Sequence, residues 1–150
     1  MKIYKEKELN QMPIEKRFGL PNLQKSLKDK LFDYLMKLQQ SAAQLRMNHW
    51  QTESFAEHKA TDGFVDAIYA SMDAIAESTM GEFGRPKMNT VNLTVSDINI
   101  TSTKWVLESL KSETSEIIAE LKTTEYEGLL ALVGDFDGEL KKVMYLTTLS

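Results

Sequence analysis

Five residues of this chain have the types and the spacing to hold a metal: His49, His58, Asp62, Asp73 and Glu77. Imidazole nitrogens and carboxylate oxygens together suit iron, manganese or zinc. The stretch that carries them reads HWQTESFAEHKATDGFVDAIYASMDAIAE and contains both histidines of the chain. His58 and Asp62 are four residues apart, and so are Asp73 and Glu77. Four residues is one step along the same face of a helix, so each pair can converge. Asp62 and Asp73 are eleven apart, close to three full turns. Both pairs therefore share one side of one helix.

Distance decides what this set can do. At about 1.5 Å per residue, Asp62 and Asp73 lie about 16 Å apart along the helix, and His58 and Glu77 about 28 Å. They cannot share one ion within a chain. Neither histidine follows a glutamate by three residues, so the Glu-x-x-His signature of di-iron bundles is absent. Two copies of the helix, antiparallel across a two-fold axis, bring Asp62 to Asp73 and His58 to Glu77. Both pairs are centred between Ala67 and Ile68, so one axis serves both and creates two equivalent sites. The bland reading stands beside this one. A histidine on a core-facing stripe is more often a satisfied core residue, and a row of carboxylates is more often a solvated edge.

Four helices are expected to position these groups. Pro21 and Asn22 open the first, with the stripe Leu23, Leu27, Leu31, Tyr34, Leu35, Leu38, Ala42 and Leu45 at steps of three and four. One further step of four reaches His49. The helix stops near Trp50 or Gln51. Ser54 and Glu57 form a capping-box signature for the second helix, about Phe55 to Met80, which ends at Gly81 and Gly84. Phe64, Ile68, Met72, Ile75 and Thr79 make its apolar side. The row His58, Asp62, Asp66, Tyr69, Asp73 and Glu77 borders that side, where carboxylates need a neutralising partner.

Residues 82–102 lose the helical pattern around Arg85-Pro86 and are too long for a tight helix–helix turn. A crossover along a bundle uses this length. A third helix follows over about 103–122, with Trp105, Val106, Leu110, Ile117, Ile118 and Leu121 inward. Thr124 and Glu127 give a second capping-box signature for a fourth helix to about Leu149. Gly134 and Gly138 lie inside it, a pattern that predicts a close helix approach or a kink. The sum is an all-α, ferritin-like four-helix bundle with one long crossover between helices two and three. A single domain spans residues 1–150, and residues 1–19 form an N-terminal arm or short helix on its surface.

Composition excludes several classes. The chain has no cysteine, which removes disulfides, thiolate metal sites and cysteine catalysis. The formal net charge of −4 argues against a surface that binds nucleic acid throughout. In the first nineteen residues Glu6, Glu8 and Glu15 dilute Lys2, Lys5, Lys7, Lys16 and Arg17. No apolar leader and no membrane-length run is present, so the expected location is the cytoplasm.

The pair His49-Trp50, followed by His58, Asp62, Asp73 and Glu77 in the pattern His-x3-Asp-x10-Asp-x3-Glu, resembles the Dps family, the ferritin-like DNA-binding proteins of starved cells. Ala76-Glu77, Gly84 and Pro86 resemble the end of the same motif. The resemblance implies an intersubunit ferroxidase site made of His49, His58, Asp62, Asp73 and Glu77. It implies oxidation of Fe(II), preferentially by hydrogen peroxide, and sequestration of the ferric product. It implies a homo-oligomer: a two-fold dimer at least, and a twelve-subunit shell where assembly is complete. Zinc or manganese would suit the same ligands. Three departures stand out. The link QTESFAE between the histidines is about three residues shorter than the family's, the basic tail that some members use to coat DNA is poor here, and the ending KKVMYLTTLS carries no evident basic extension.

Two other readings compete. One is a helical interaction or structural protein on the same scaffold with no redox activity. The other is a DNA-binding protein whose metal site is structural. The first predicts little iron uptake, and the second predicts retention on duplex DNA that falls steeply with salt.

Overall fold

The structure is a computed structural model that describes residues 25–87 and 90–149, and it contains four helices and no strand among them. The helices are α1, Leu27–Gln51; α2, Phe55–Phe83; α3, Thr103–Leu121; and α4, Glu127–Leu146. The N-terminal arm and the Pro21-Asn22 start expected for α1 lie outside the described residues.

Capping chemistry explains most of the boundaries. Ser26 accepts a bond from the Asp29 N–H, so α1 begins later than Pro21-Asn22 suggested. Ser54 caps α2 through the Glu57 N–H at 3.2 Å, as expected. The Glu57 carboxylate does not close the box, because it accepts a bond from the Thr103 hydroxyl at the start of α3. α2 runs through Gly81 and ends at Gly84, whose φ of 76° is the conformation glycine permits. Ser102 caps α3 through Trp105 N–H.

The second capping box is not made. Thr124 donates to the Leu121 carbonyl and so finishes α3, while α4 starts at Glu127 behind Tyr126, whose side chain makes no cap bond. The Thr124 hydroxyl also accepts from Tyr126 N–H at 3.3 Å, which tightens the turn.

Each helix packs on two neighbours: α1 on α2 and α3, α4 on α2 and α3. All four contacts are antiparallel. Lys28 reaches the Phe83 carbonyl, and Arg46 faces Asp62. Tyr34 bonds Thr114 while Asn48 bonds Thr103. Phe64 stacks on Phe136, and Phe83 meets Tyr126 edge-on. This is the ferritin-like bundle with one crossover.

The stripes read from periodicity fill the centre: Leu31, Leu35, Leu38, Leu45, Ile68, Ile75 and Leu110 are buried, and Val133, Phe136 and Leu140 of α4 join them. Trp105 is a correction. It is 61% exposed, because the buried row of α3 runs through Val106, Leu107, Leu110, Thr114, Ile117 and Leu121, and residue 105 falls one position to the solvent side. Gly134 and Gly138 are exposed, and a Cβ at either would meet nothing within 4 Å, so they mark no close helix approach within the chain.

The crossover is held by a row of amides on α1. Gln40 accepts from Thr94 N–H at 2.9 Å, and Gln44 accepts from Ser96 N–H at 2.8 Å while donating to the Ser96 carbonyl at 2.7 Å. Asn48 donates to the Thr101 carbonyl, and Gln51 accepts from Ile98 N–H. The crossover therefore runs along α1 and delivers α3 to the end of the bundle where His49 and His58 sit.

Candidate functional site

The two histidines meet because α1 ends at Gln51 and α2 begins at Phe55, which folds the last turn of one helix beside the first turn of the next. Their rings stack with centroids 4.0 Å apart and planes 22° from parallel. Each ring is tied to the other's backbone. His49 Nδ1 lies 3.0 Å from the His58 carbonyl, and His58 Nδ1 lies 3.1 Å from the His49 carbonyl. A carbonyl only accepts, so both Nδ1 atoms carry the proton and donate. In the neutral rings both Nε2 atoms are then lone pairs. This is the tautomer that a metal-binding histidine adopts, with the opposite nitrogen anchored to a carbonyl.

Burial differs between the two. His49 is buried, 8% exposed, with Thr61 beside its Nδ1, whereas His58 is exposed. His49 Nε2 lies 3.9 Å from Asp62 Oδ1. The short link between the histidines therefore brings His49 to His58 and Asp62 and does not hold it away.

The structure joins three of the five sequence-selected residues, His49, His58 and Asp62. Asp73 and Glu77 are exposed on the same helix, roughly 16 Å and more along it from Asp62. Among the described residues no group of three or more His, Asp or Glu side chains closes around one point as a cation site. The donors of one chain are thus an open half-set: two imidazoles and one carboxylate at one end of the face, two carboxylates at the other.

Arg46 is the residue that periodicity did not single out. Its guanidinium lies 3.5 Å from Asp62 and 3.4 Å from Asp66, and it partly neutralises the acidic row. Its place three residues before His49 put it on the neighbouring face of α1, and that spacing was the available signal. Both carboxylates are more than half exposed, so the pairs are solvent-screened surface contacts. Asp66 is accounted for by this contact. Trp50 is 69% exposed, and Tyr69, 41% exposed, touches Gln39 across the α1–α2 groove.

The donor set fits iron, zinc or manganese in type, with Arg46 as a competing cation at Asp62. A carboxylate with a displaced pKa lies elsewhere. Burial pushes the Asp137 carboxyl up, but Lys111 at 2.8 Å and Lys141 at 2.6 Å outweigh it and hold the group below the usual carboxylate range. That triad staples α3 to α4 on the far side of the bundle.

Residues 49–147, from the first of these histidines to the end of α4, match a protein family described as a family of unknown function, DUF5856. No curated protein and no solved structure matches the chain.

Proposed function

We propose, for a chain that belongs to the DUF5856 family, that the face carrying His49, His58 and Asp62 is half of an Fe(II)-oxidising site. Asp73 and Glu77 of a second copy would complete it across a two-fold axis. The observation that carries this reading is the reciprocal pair of Nδ1–H bonds between the histidines, which leaves both Nε2 atoms unprotonated, with that of His49 facing Asp62. The likeness of this residue pattern to the Dps family supports the choice of iron as substrate and peroxide as oxidant.

The chain's residues would act in two ways. The Nδ1–H bonds hold the imidazoles in one tautomer and one orientation. Asp62, with the second copy's Asp73 and Glu77, supplies the negative charge that favours the ferric product. Two Fe(II) give one electron each to a hydrogen peroxide, which takes two protons and leaves as two waters. A ferric product held in a homo-oligomer would be sequestered, with a twelve-subunit shell as the full assembly and cytoplasmic protection from peroxide as the role. Among the described residues no helix is long and apolar enough to cross a membrane.

The test is anaerobic Fe(II) loading followed by hydrogen peroxide, tracking ferric absorbance in the parent and in Asp73→Asn. Fast oxidation that the variant loses supports the site. Oxidation no faster than in buffer sinks it. A second reading, a helical scaffold with no redox activity, is favoured by one observation: Arg46 already pairs with Asp62 and Asp66, so the acidic row has a partner without metal. That reading expects the parent and Asp73→Asn to oxidise iron equally slowly. DNA binding has only the mixed-charge arm of residues 1–19 in its favour, and the net charge of −4 opposes it.

A further inference from the structure

The crossover presents an unpaired, extended backbone edge. Residues 90–96 read TVNLTVS, with no charge, proline or glycine. Thr94 and Ser96 turn their backbone groups toward α1, where Gln40 and Gln44 bond them. Alternate residues facing one way is the pattern of an extended chain. The lengths agree: four helical residues from Gln40 to Gln44 rise about 6 Å, and two extended residues from Thr94 to Ser96 span about 6.6 Å. Leu93 and Val95 therefore direct their N–H and C=O away from α1, and among the described residues nothing bonds them. Val91, Leu93 and Val95 are 45%, 41% and 39% exposed. Proteins normally blunt such an edge with lysine, proline or a cover.

We propose that this edge pairs with its own copy, as a two-stranded antiparallel ribbon with Leu93 opposite Leu93 and Val91 opposite Val95. The occupant follows from position. The two-fold axis required by the histidine and carboxylate pairs passes between Ala67 and Ile68, and the inference rests on that axis. Tyr69, beside this point, bonds Gln39, and the next residue of α1, Gln40, holds Thr94. The free edge thus lies at the height of the same axis and runs alongside α1, antiparallel to α2. A two-fold there lays each run antiparallel on its twin. Because the run carries no charge, the two copies meet without repulsion. The paired ribbon would satisfy main-chain groups of Leu93 and Val95 and cover three half-exposed apolar side chains.

The full chain has no cysteine, so single cysteines report the pairing cleanly. Opposed residues of an antiparallel pair have Cα atoms about 5.5 Å apart, within disulfide reach. Under mild oxidation Leu93→Cys should form a covalent dimer roughly a hundredfold faster than Val91→Cys or Val95→Cys alone, because a held pair has a millimolar effective concentration. A mixture of the Val91→Cys and Val95→Cys chains should cross-link as a heterodimer. Helical circular dichroism of each variant checks that these exposed positions leave the bundle folded. Equal slow cross-linking at all three sites, in a protein that sediments as a dimer, overturns the ribbon and leaves the α2 axis standing. A monomer at every concentration overturns both. Selective cross-linking at position 93 without peroxide-driven iron oxidation sustains the ribbon and removes the ferroxidase reading.

Discussion

His49 and His58 hold each other by their own backbones: each ring donates from Nδ1 to the other's carbonyl, at 3.0 and 3.1 Å, across a 4.0 Å stack. The relationship fixes the tautomer before any ligand arrives. Nitrogen-15 spectra of the neutral protein should therefore show both rings protonated at Nδ1 and unprotonated at Nε2. A proton on Nε2 of either ring would remove the basis for a metal at that position.

Metal should stabilise the assembled protein. A ligand at one hundred times its dissociation constant adds about 2.7 kcal/mol, which for a chain of this size raises Tm by roughly 5–10 °C. The expected result is such a rise with Fe(II) or Zn(II) under anaerobic conditions in the parent, and little rise in Asp73→Asn. Melting curves that metal leaves unchanged count against the site.

Arg46 competes for Asp62. Removing it in Arg46→Gln takes a cation from the candidate ligand, and exposed pairs of this kind are worth up to about 1 kcal/mol. Metal affinity measured by titration calorimetry should rise by up to about fivefold. Stability without metal should change by no more than roughly 0.5 kcal/mol, since the pairs are screened by solvent. Weaker metal binding in the variant would mean that Arg46 organises the site instead of opposing metal.

Asp137 should matter more to stability than any carboxylate of the candidate site. Its pKa lies below the unfolded value, so its contribution is fully present above the usual carboxylate range and is lost as pH falls through the folded pKa. Asp137→Asn leaves Lys111 partly buried beside a neutral group and should cost about 1–3 kcal/mol at pH 7. The gap between parent and variant in urea unfolding should narrow below about pH 4. A constant gap across that range would show that packing, and not charge, carries the effect.

Gly134 and Gly138 face open space in α4, where an added Cβ meets no atom. Each change to alanine should stabilise the chain by about 0.5–1 kcal/mol, read from the urea midpoint. Destabilisation would place another surface against this face in the assembled protein.

Much of the bundle was legible in the residue order, because burying one face of a helix imposes steps of three and four. Leu31, Leu35, Leu38, Ala42 and Leu45 follow that rule to His49, and all are buried. Ser54 declared the start of α2 by the same local logic. The ambiguous positions were those with two partners in reach. Thr124 was readable as a cap for α4, and it serves the end of α3 because the Leu121 carbonyl is nearer in the fold. Trp105 is large and apolar, yet its angular position sends it to solvent.

The candidate site divides in the same way. Sequence alone determined the residue types and the helical spacing of His58, Asp62, Asp73 and Glu77, since both are properties of a single helix. Tertiary structure alone decided that His49 stacks on His58, that Arg46 reaches Asp62, and that the amides of α1 carry the crossover past the middle of the bundle. Those contacts join residues on different elements, and their distances depend on how helices pack, which no spacing along one chain segment encodes.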